Sequence, residues 1–402
     1  MTEISEPHSL NFDSCILFST ADWDARYWTN KQHLAVDFAR RGMRVLYVES
    51  VGIRVPKLNS RLDFGRIIKR LFKAVGGPRA VDENLFVLSP LAIPFLRRSS
   101  FIRAMNNAIL KYQISKAQRV LEIVKPLLWT YHPYLPDVFG QVNSGFIYHC
   151  VDDISAVPGV DGIVFNQEED SLVKRVDMIF VTSRALEARF QAMGKPVHFL
   201  SNVVDFDHFA SARTSALPQD FPRVPSPVVG YVGVLSDFKV DFNLVLEAVR
   251  LRPHIHWVLI GDEREGQSSE ALAKMRQMPN VALLGYKPYA QLPSYLAGFD
   301  VAALPTLINE YTRSMFPMKY FEYVAAGLPV VATPLEFLKE SSLPVAIAQS
   351  AEEFIDAVES KAKVEKYTRE ESRVIVAENT WTERSHKMLS MVSDHLLQKK
   401  RN

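Results

Sequence analysis

The sequence predicts an α/β protein built from two doubly wound, parallel-sheet domains in tandem. Three observations carry this expectation. At 402 residues the chain exceeds one ordinary hydrophobic core. Short apolar runs bounded by turn residues alternate with helical patterns along its length, as buried parallel strands and crossover helices do. One tract, 207–227, interrupts the alternation with serine, proline and no periodicity. Domains are therefore expected over 1–206 and 228–378, with 207–227 as the linker.

In the first domain the β-rich runs fall at 15–20, 44–49, 85–89, 127–131, 146–151, 178–182 and 197–201. Helical patterns lie between several of them, at 30–41, 101–124, 166–176 and 184–192. The second domain repeats the arrangement, with strands expected at 228–235, 257–261, 281–285, 301–305, 330–333 and 345–348. Helices close the chain at 351–364 and 381–397.

The net charge of +2 is unevenly spread, because residues 50–125 hold 15 Lys and Arg against 4 Asp and Glu. Such a basic segment points to an anionic partner: a membrane surface, a pyrophosphate or a nucleic acid. Two cysteines, Cys15 and Cys150, exclude a disulfide framework or a cysteine metal cluster. The first fourteen residues are polar and acidic, unlike a signal peptide, and no apolar run approaches the roughly 18–20 residues that span a bilayer. The chain reads as cytoplasmic.

The stretch 305–333, PTLINEYTRSMFPMKYFEYVAAGLPVVAT, concentrates the chemistry. A strand ends at Pro305, a polar loop follows, and Pro317 suits the first turn of a helix that Gly327 terminates. Lys319 in the first helical turn adds a full charge where free amides already favour an anion. Glu322, at i+3, shares its face and suits ribose hydroxyls. Glu310, in the loop, is placed for a sugar projecting from a diphosphate. The plain alternative is a surface helical pair of Lys319 and Glu322.

The run Asn309-Glu-Tyr-Thr312, followed by Pro317-x-Lys319-x-x-Glu322-Tyr323-x-Ala-x-Gly327-x-Pro329-Val-Val, resembles the donor-site signature of GT-B glycosyltransferases. The resemblance is nearest to family 4 bacterial enzymes of cell-surface polysaccharide synthesis, and extends to the xanthan glucuronosyltransferase. It implies a GT-B fold: two Rossmann-like domains facing a central cleft, with the C-terminal helix, 379–402, crossing back to the first domain. It also implies a nucleoside-diphosphate sugar as donor, UDP-linked first, with no cofactor and no catalytic metal. Many family 4 enzymes separate two glutamates by seven residues, whereas eleven separate Glu310 from Glu322, so retention or inversion stays open.

On this reading the donor contacts are Gly233, Lys239, Tyr286, Asn309, Glu310, Thr312, Met318, Lys319 and Glu322. The turn Gly230-Tyr-Val-Gly233 offers close backbone approach to phosphates, although G-x-x-G alone is a weak motif. For proton removal from an acceptor, Asp152 and then Asp153 follow a strand end, His132 is a third candidate, and Glu310 is counted with them. A helix N-cap is the plain alternative for the two aspartates, and His149, inside a strand, reads as a core residue. Trp28, Asn30, Lys31 and His33, beyond the first strand, are candidate acceptor or cleft contacts. Asp22-Trp-Asp24 and Asp205-Phe-Asp207 match a metal-binding Asp-x-Asp pattern, but a three-residue pattern is common by chance and both are read as structural or peripheral.

Residues 64–75 read as an amphipathic helix. Phe64, Ile67, Ile68, Leu71 and Phe72 form one stripe, and Arg66, Lys69, Arg70 and Lys73 fill the other faces without an acid. That pattern suits the anionic inner face of the cell membrane. The expected partners are a nucleotide sugar, a lipid-linked or saccharide acceptor and that membrane, not nucleic acid. The alternatives are a sugar-nucleotide epimerase of the same fold and a non-catalytic partner subunit.

Overall fold

The computed structural model describes residues 12–25, 28–50, 77–91, 99–135, 144–157, 159–263, 269–313 and 315–401. The membrane-helix candidates, Phe64 to Lys73, lie outside them. The chain forms two units: Met1–Leu200 with Trp381–Asn402, and Ser201–Thr380.

Among its described residues the first unit holds eight strands: β1 Ser14–Phe18, β2 Arg44–Val48, β3 Arg79–Asp82, β4 Leu85–Leu88, β5 Leu127–Thr130, β6 Gly145–Cys150, β7 Met178–Val181 and β8 Val197–Phe199. They lie in the order β3-β4-β2-β1-β5-β6-β7-β8. Cys15 of β1 pairs Val45 on one side and Leu127 on the other, both in parallel. Nearly all residues of β1, β5, β6 and β7 are buried, because apolar layers cover both faces of the sheet. At one edge lies β3, an antiparallel strand absent from the sequence expectation. Its Arg-Ala-Val-Asp is mostly exposed and too polar to register as an apolar run.

The second unit is a six-stranded parallel sheet in the order β11-β10-β9-β12-β13-β14. Its strands are β9 Val228–Val232, β10 His256–Ile260, β11 Val281–Gly285, β12 Val301–Leu304, β13 Val330–Ala332 and β14 Ala346–Ile347. In both sheets the connections reverse direction at one point, between β1 and β5 and between β9 and β12. At such a point the strand ends diverge and leave a crevice suited to a ligand.

Residues 207–227, expected as a linker, pack onto the second unit. Phe209, Ala212 and Phe221 are buried in its core, and Phe221 lies so close to Gly298 that a side chain there would collide with its ring. Arg213 donates to Ala325 O at 2.6 Å, while Asp220 pairs with Lys287 and accepts from Tyr295 Oη at 2.7 Å. The tract lacks periodicity because isolated anchors, not a regular element, hold it down.

The final helix, Trp381–Arg401, belongs to the first unit, as the crossing-back expectation required. Met388, Leu389, Val392 and Leu396 bury into the layer that contains Leu34, Phe38 and Trp129. Arg41 donates to Thr382 O at 2.6 Å and Lys399 to Asp177 at 2.6 Å. Ser385 donates to the buried Asp37. Among the described residues no helix is long and apolar enough to cross a membrane.

Candidate functional site

The reversal point of the second unit brings together the ends of β9, β10 and β12 with the start of helix Met318–Ala325. Glycines terminate the neighbouring strands. Gly233 N donates to Ile260 O at 2.8 Å, and Gly261 N donates to Gly285 O at 2.9 Å. A Cβ on Gly261 would stand 1.8 Å from Gly233 O, so the two turns close on each other only with glycine. A Cβ on Gly233 would stand 2.3 Å from Lys319 Cε and 3.1 Å from its Nζ. The stem of Lys319 therefore lies across the bare Cα of Gly233. The Gly233 amide itself is committed to Ile260, and the space over its Cα is taken by the lysine stem. The service of this glycine is to give the lysine room.

Lys319 is in the first turn of its helix, whose N-cap is Pro317. None of the ion pairs among the described residues involves it. Glu322, one turn on, is half-buried. Burial lifts its carboxyl above the ordinary carboxylate value, against the opposing pull of Lys319 and His208. Tyr323, fully buried, accepts a hydrogen bond from Val232 N at 2.9 Å and so fixes the last residue of β9 from the same helix. His208 stacks on Tyr289 at 4.4 Å between centroids, and its ring nitrogen Nε2 is 3.0 Å from Tyr289 O. Burial, with Glu322 and Asp205 nearby, raises the Tyr289 phenol well above its usual value.

Two loops are stitched together over this point. Asp241 N donates to Pro305 O at 2.8 Å, Leu307 N to Lys239 O at 2.9 Å, and Asn309 Nδ2 to Phe238 O at 2.7 Å. Asn309 Oδ1 accepts from Thr312 N at 3.0 Å, and Thr312 Oγ1 donates to Leu307 O at 2.5 Å. Thr312 is fully buried. The polar groups of Asn309 and Thr312 thus hold the turn Glu310–Arg313 in shape, and Glu310 stands exposed at its head. Lys239 lies 4.9 Å from the Phe238 ring and 5.3 Å from the Tyr311 ring, its charge spread over both faces. Met318 is half-buried at the helix start. Tyr286 follows Gly285, its amide donating to Asp262 Oδ1 at 3.1 Å.

In the first unit the candidate bases separate. Asp153 accepts from Ser155 N at 3.2 Å and Ser155 Oγ at 2.5 Å, and Arg189 Nη1 lies 3.5 Å away. It caps a short 3-10 turn, the plain alternative weighed for it. The neighbouring Asp152 is half-buried, and its carboxylate takes no hydrogen bond from any described residue. His132 is buried at the end of β5, where Thr130 Oγ1 donates to its carbonyl at 2.6 Å. Trp28 packs edge-on against His33 at 5.4 Å, and His33 stacks on Trp381 at 4.9 Å. Asn30 and Lys31 are buried. Neither Asp-x-Asp pattern gathers carboxylates around one point. Asp24 pairs with Arg79, Asp205 caps the helix Phe206–Ala210, and Asp207 pairs with Arg369.

The sequence reading missed Gly261, His208 and Tyr289, and quoted Tyr323 only within the signature, without a role. A signal existed for two of them. Gly261 follows the apolar run of β10 as Gly233 follows β9, and Tyr323 lies one turn beyond Lys319. Nothing local marks His208 or Tyr289, which meet only through the fold.

Residues 226–362 match the family described as Glycosyl transferases group 1. The chain is similar to TuaH of Bacillus subtilis, whose name provisionally assigns it as a teichuronic acid biosynthesis glycosyltransferase. The two are 26% identical over 186 residues, 45% of this chain and 46% of TuaH. The match thus spans under half the length of that curated relative. Among solved structures, the chain resembles sucrose-phosphate synthase from Thermosynechococcus elongatus at a TM-score of 0.63 and 16% identity. That likeness covers 97% of this chain and 98% of the synthase. It also resembles Anabaena HepE in complex with UDP, at a TM-score of 0.54 and 13% identity over 97% and 99% of the two chains. The fold is GT-B, as the donor-site signature implied.

Proposed function

We propose that this GT-B chain, with its group 1 glycosyltransferase domain, is a glycosyltransferase of cell-surface polysaccharide synthesis. Its donor is a nucleoside-diphosphate sugar, and its acceptor is lipid-linked or a saccharide. The observation that carries the reading is Lys319, laid across the bare turn at Gly233 at the reversal point of the second sheet. A cation held there by sterics, outside every ion pair among the described residues, matches the needs of a diphosphate. UDP as the carrier is supported by HepE, whose complexes hold UDP and UDP-glucose, and the surface-polysaccharide setting by TuaH.

In the reaction, the acceptor oxygen attacks the anomeric carbon while the bond from that carbon to the diphosphate oxygen breaks. The electron pair passes to the diphosphate, and Lys319 stabilises the charge that builds there. Glu322 accepts from ribose hydroxyls, and Glu310, exposed at its turn, accepts from the transferred sugar. Asp152 takes the acceptor proton. Its carboxylate is uncommitted among the described residues, whereas Asp153 is engaged as a cap. No metal or cofactor enters this scheme, and the basic segment 50–125 is assigned to the anionic inner face of the cell membrane.

The test is calorimetric titration with UDP, followed by turnover with a panel of UDP-sugars. Wild type should bind UDP, and Lys319→Ala should lose both affinity and turnover. Asp152→Asn should bind UDP normally and lose turnover. Equal UDP affinity in wild type and Lys319→Ala would remove the donor assignment.

A further inference from the structure

In the first unit, helix Ser100–Val120 carries the chain from β4 to β5. It contains Arg103, Lys111, Lys116 and Arg119 and no acid. One face is spent on the core: Leu110, Ile114 and Ala117 are buried in the layer that also holds Ile16 of β1 and Leu128 of β5. A helix with one face in a core ordinarily turns polar side chains to water on the other. This one does not. Phe101 is 72% exposed and Tyr112 64%, and Ala104 and Ala108 between them are exposed as well.

At 3.6 residues per turn these four positions fall within about 80° of one another, opposite the core-facing side chains. Lys111 borders the stripe on one side and Lys116 on the other, and Arg119 lies on the stripe about two turns beyond Tyr112. All three are exposed, and none joins an ion pair among the described residues. Arg119 Nε donates only to Ser115 O of its own helix, at 3.3 Å, while Arg103, on the flank, stands 3.9 Å from Glu168.

The helix also outreaches its sheet. Leu91 N, just past the end of β4, donates to Gln113 Oε1 at 2.9 Å, so the carboxyl end of that strand is level with Gln113. Phe101, twelve residues earlier, projects about 18 Å further. The overhang explains why burial begins only at Leu110, and it lies at the same end as the crevice that the reversal between β1 and β5 opens.

We infer that this outward face of helix Ser100–Val120 docks on anionic lipid. Phe101 and Tyr112 enter the acyl boundary, where a ring with a hydroxyl tip is well suited, and Lys111, Lys116 and Arg119 stay at the phosphates. An apolar stripe bordered by cations, on a helix without acids, is the charge complement of such a surface. The inference rests on the assignment of segment 50–125 to the membrane and names its contact element. Docking there holds the crevice of the first unit beside the headgroups, within reach of an acceptor that is itself a lipid.

The test is co-sedimentation of the full-length protein with extruded phosphatidylcholine vesicles, with or without an equal share of phosphatidylglycerol. Wild type should bind the anionic vesicles and leave them in about 1 M salt, where the screening length is roughly 3 Å. Changing Lys111, Lys116 and Arg119 to Gln should weaken binding by about fivefold per charge, about a hundredfold together. Phe101→Ser with Tyr112→Ser should weaken it by about tenfold or more. All five side chains are exposed, so the core is left intact, and unchanged UDP affinity verifies the fold. Cys15 and Cys150 are buried, so a thiol-reactive dye can be placed at Tyr112→Cys, where emission should shift to the blue on anionic and not on neutral vesicles. If wild type binds and both sets of variants bind equally well, this helix is not the contact, and the membrane assignment of the segment survives without it. If wild type ignores both vesicles, both fall. Loss in Phe101→Ser with Tyr112→Ser of a dimer that wild type forms without lipid would give the face to a second copy and also overturn the inference. Failure of wild type to bind UDP strikes the donor reading alone.

Discussion

Gly233→Ala is the substitution that most directly tests how the donor site is built. The added methyl would stand 2.3 Å from Lys319 Cε and 2.9 Å from Tyr231 Oη, at a backbone φ of +156° that favours glycine. The strand itself need not move, because the nearer obstacle is the flexible end of a lysine. The lysine must therefore leave. Relocating it forfeits a charge-assisted interaction of about 1.5–3 kcal/mol, roughly a tenfold to hundredfold loss in UDP affinity. The strained φ adds about 1 kcal/mol of fold destabilisation, which denaturation monitors separately. The decisive assay is a double-mutant cycle by calorimetry. If Gly233 acts by making room for Lys319, adding Gly233→Ala to Lys319→Ala costs almost no further affinity. Additive losses would mean that the glycine serves the nucleotide in some other way, and the steric argument would fall.

The remaining expectations concern single groups. Tyr323→Phe leaves the buried Val232 amide without its acceptor and should cost about 1–3 kcal/mol, read as a lower denaturation midpoint. Asp153→Asn should lower stability through its cap and its Arg189 pairing, whereas Asp152→Asn should lower turnover with stability unchanged; the reverse pattern would exchange their roles. Glu322 has a raised folded-state value, so the folded protein binds its proton more tightly and loses stability as pH rises through that value. Glu322→Gln should therefore be neutral at acidic pH, where both states are protonated, and gain thermal stability relative to wild type towards pH 8. A constant difference across pH would contradict the burial effect. Leu396→Ala opens a cavity beside Gly145 and should cost about 2–5 kcal/mol in the first unit.

Much of the architecture could be read from residue order because buried parallel strands announce themselves as apolar runs. Val228–Val232 and Val301–Leu304 are examples, each buried on both faces. The edge strand Arg79–Asp82 could not, since an exposed strand keeps the composition of a loop. Within the site, Lys319 and Glu322 share one short helix, so spacing alone brought them together. The functions of Asn309 and Thr312 were harder to read. A polar residue in a loop looks the same whether it faces a ligand or holds its own turn, and here both side chains bond locally. Asp152 and Asp153 are adjacent in sequence, yet only the three-dimensional placement of Ser155 and Arg189 distinguishes them. His149 illustrates the opposite limit: burial was legible from its place in a strand, but the lack of a hydrogen-bond partner at its Nδ1 was not.

The return of helix Trp381–Arg401 to the first unit bears on how the protein is made. The ribosome delivers residues 201–380, an uninterrupted unit with its own sheet, before the helix that completes the earlier one. Until then the surface around Leu34, Phe38 and Trp129, which that helix buries, is bare to solvent. Synthesis normally lets domains fold in the order they emerge. Here the first to emerge is the last to be finished. A nascent chain stalled before residue 381 should consequently expose an oily face that chaperones recognise, although its second unit is already folded.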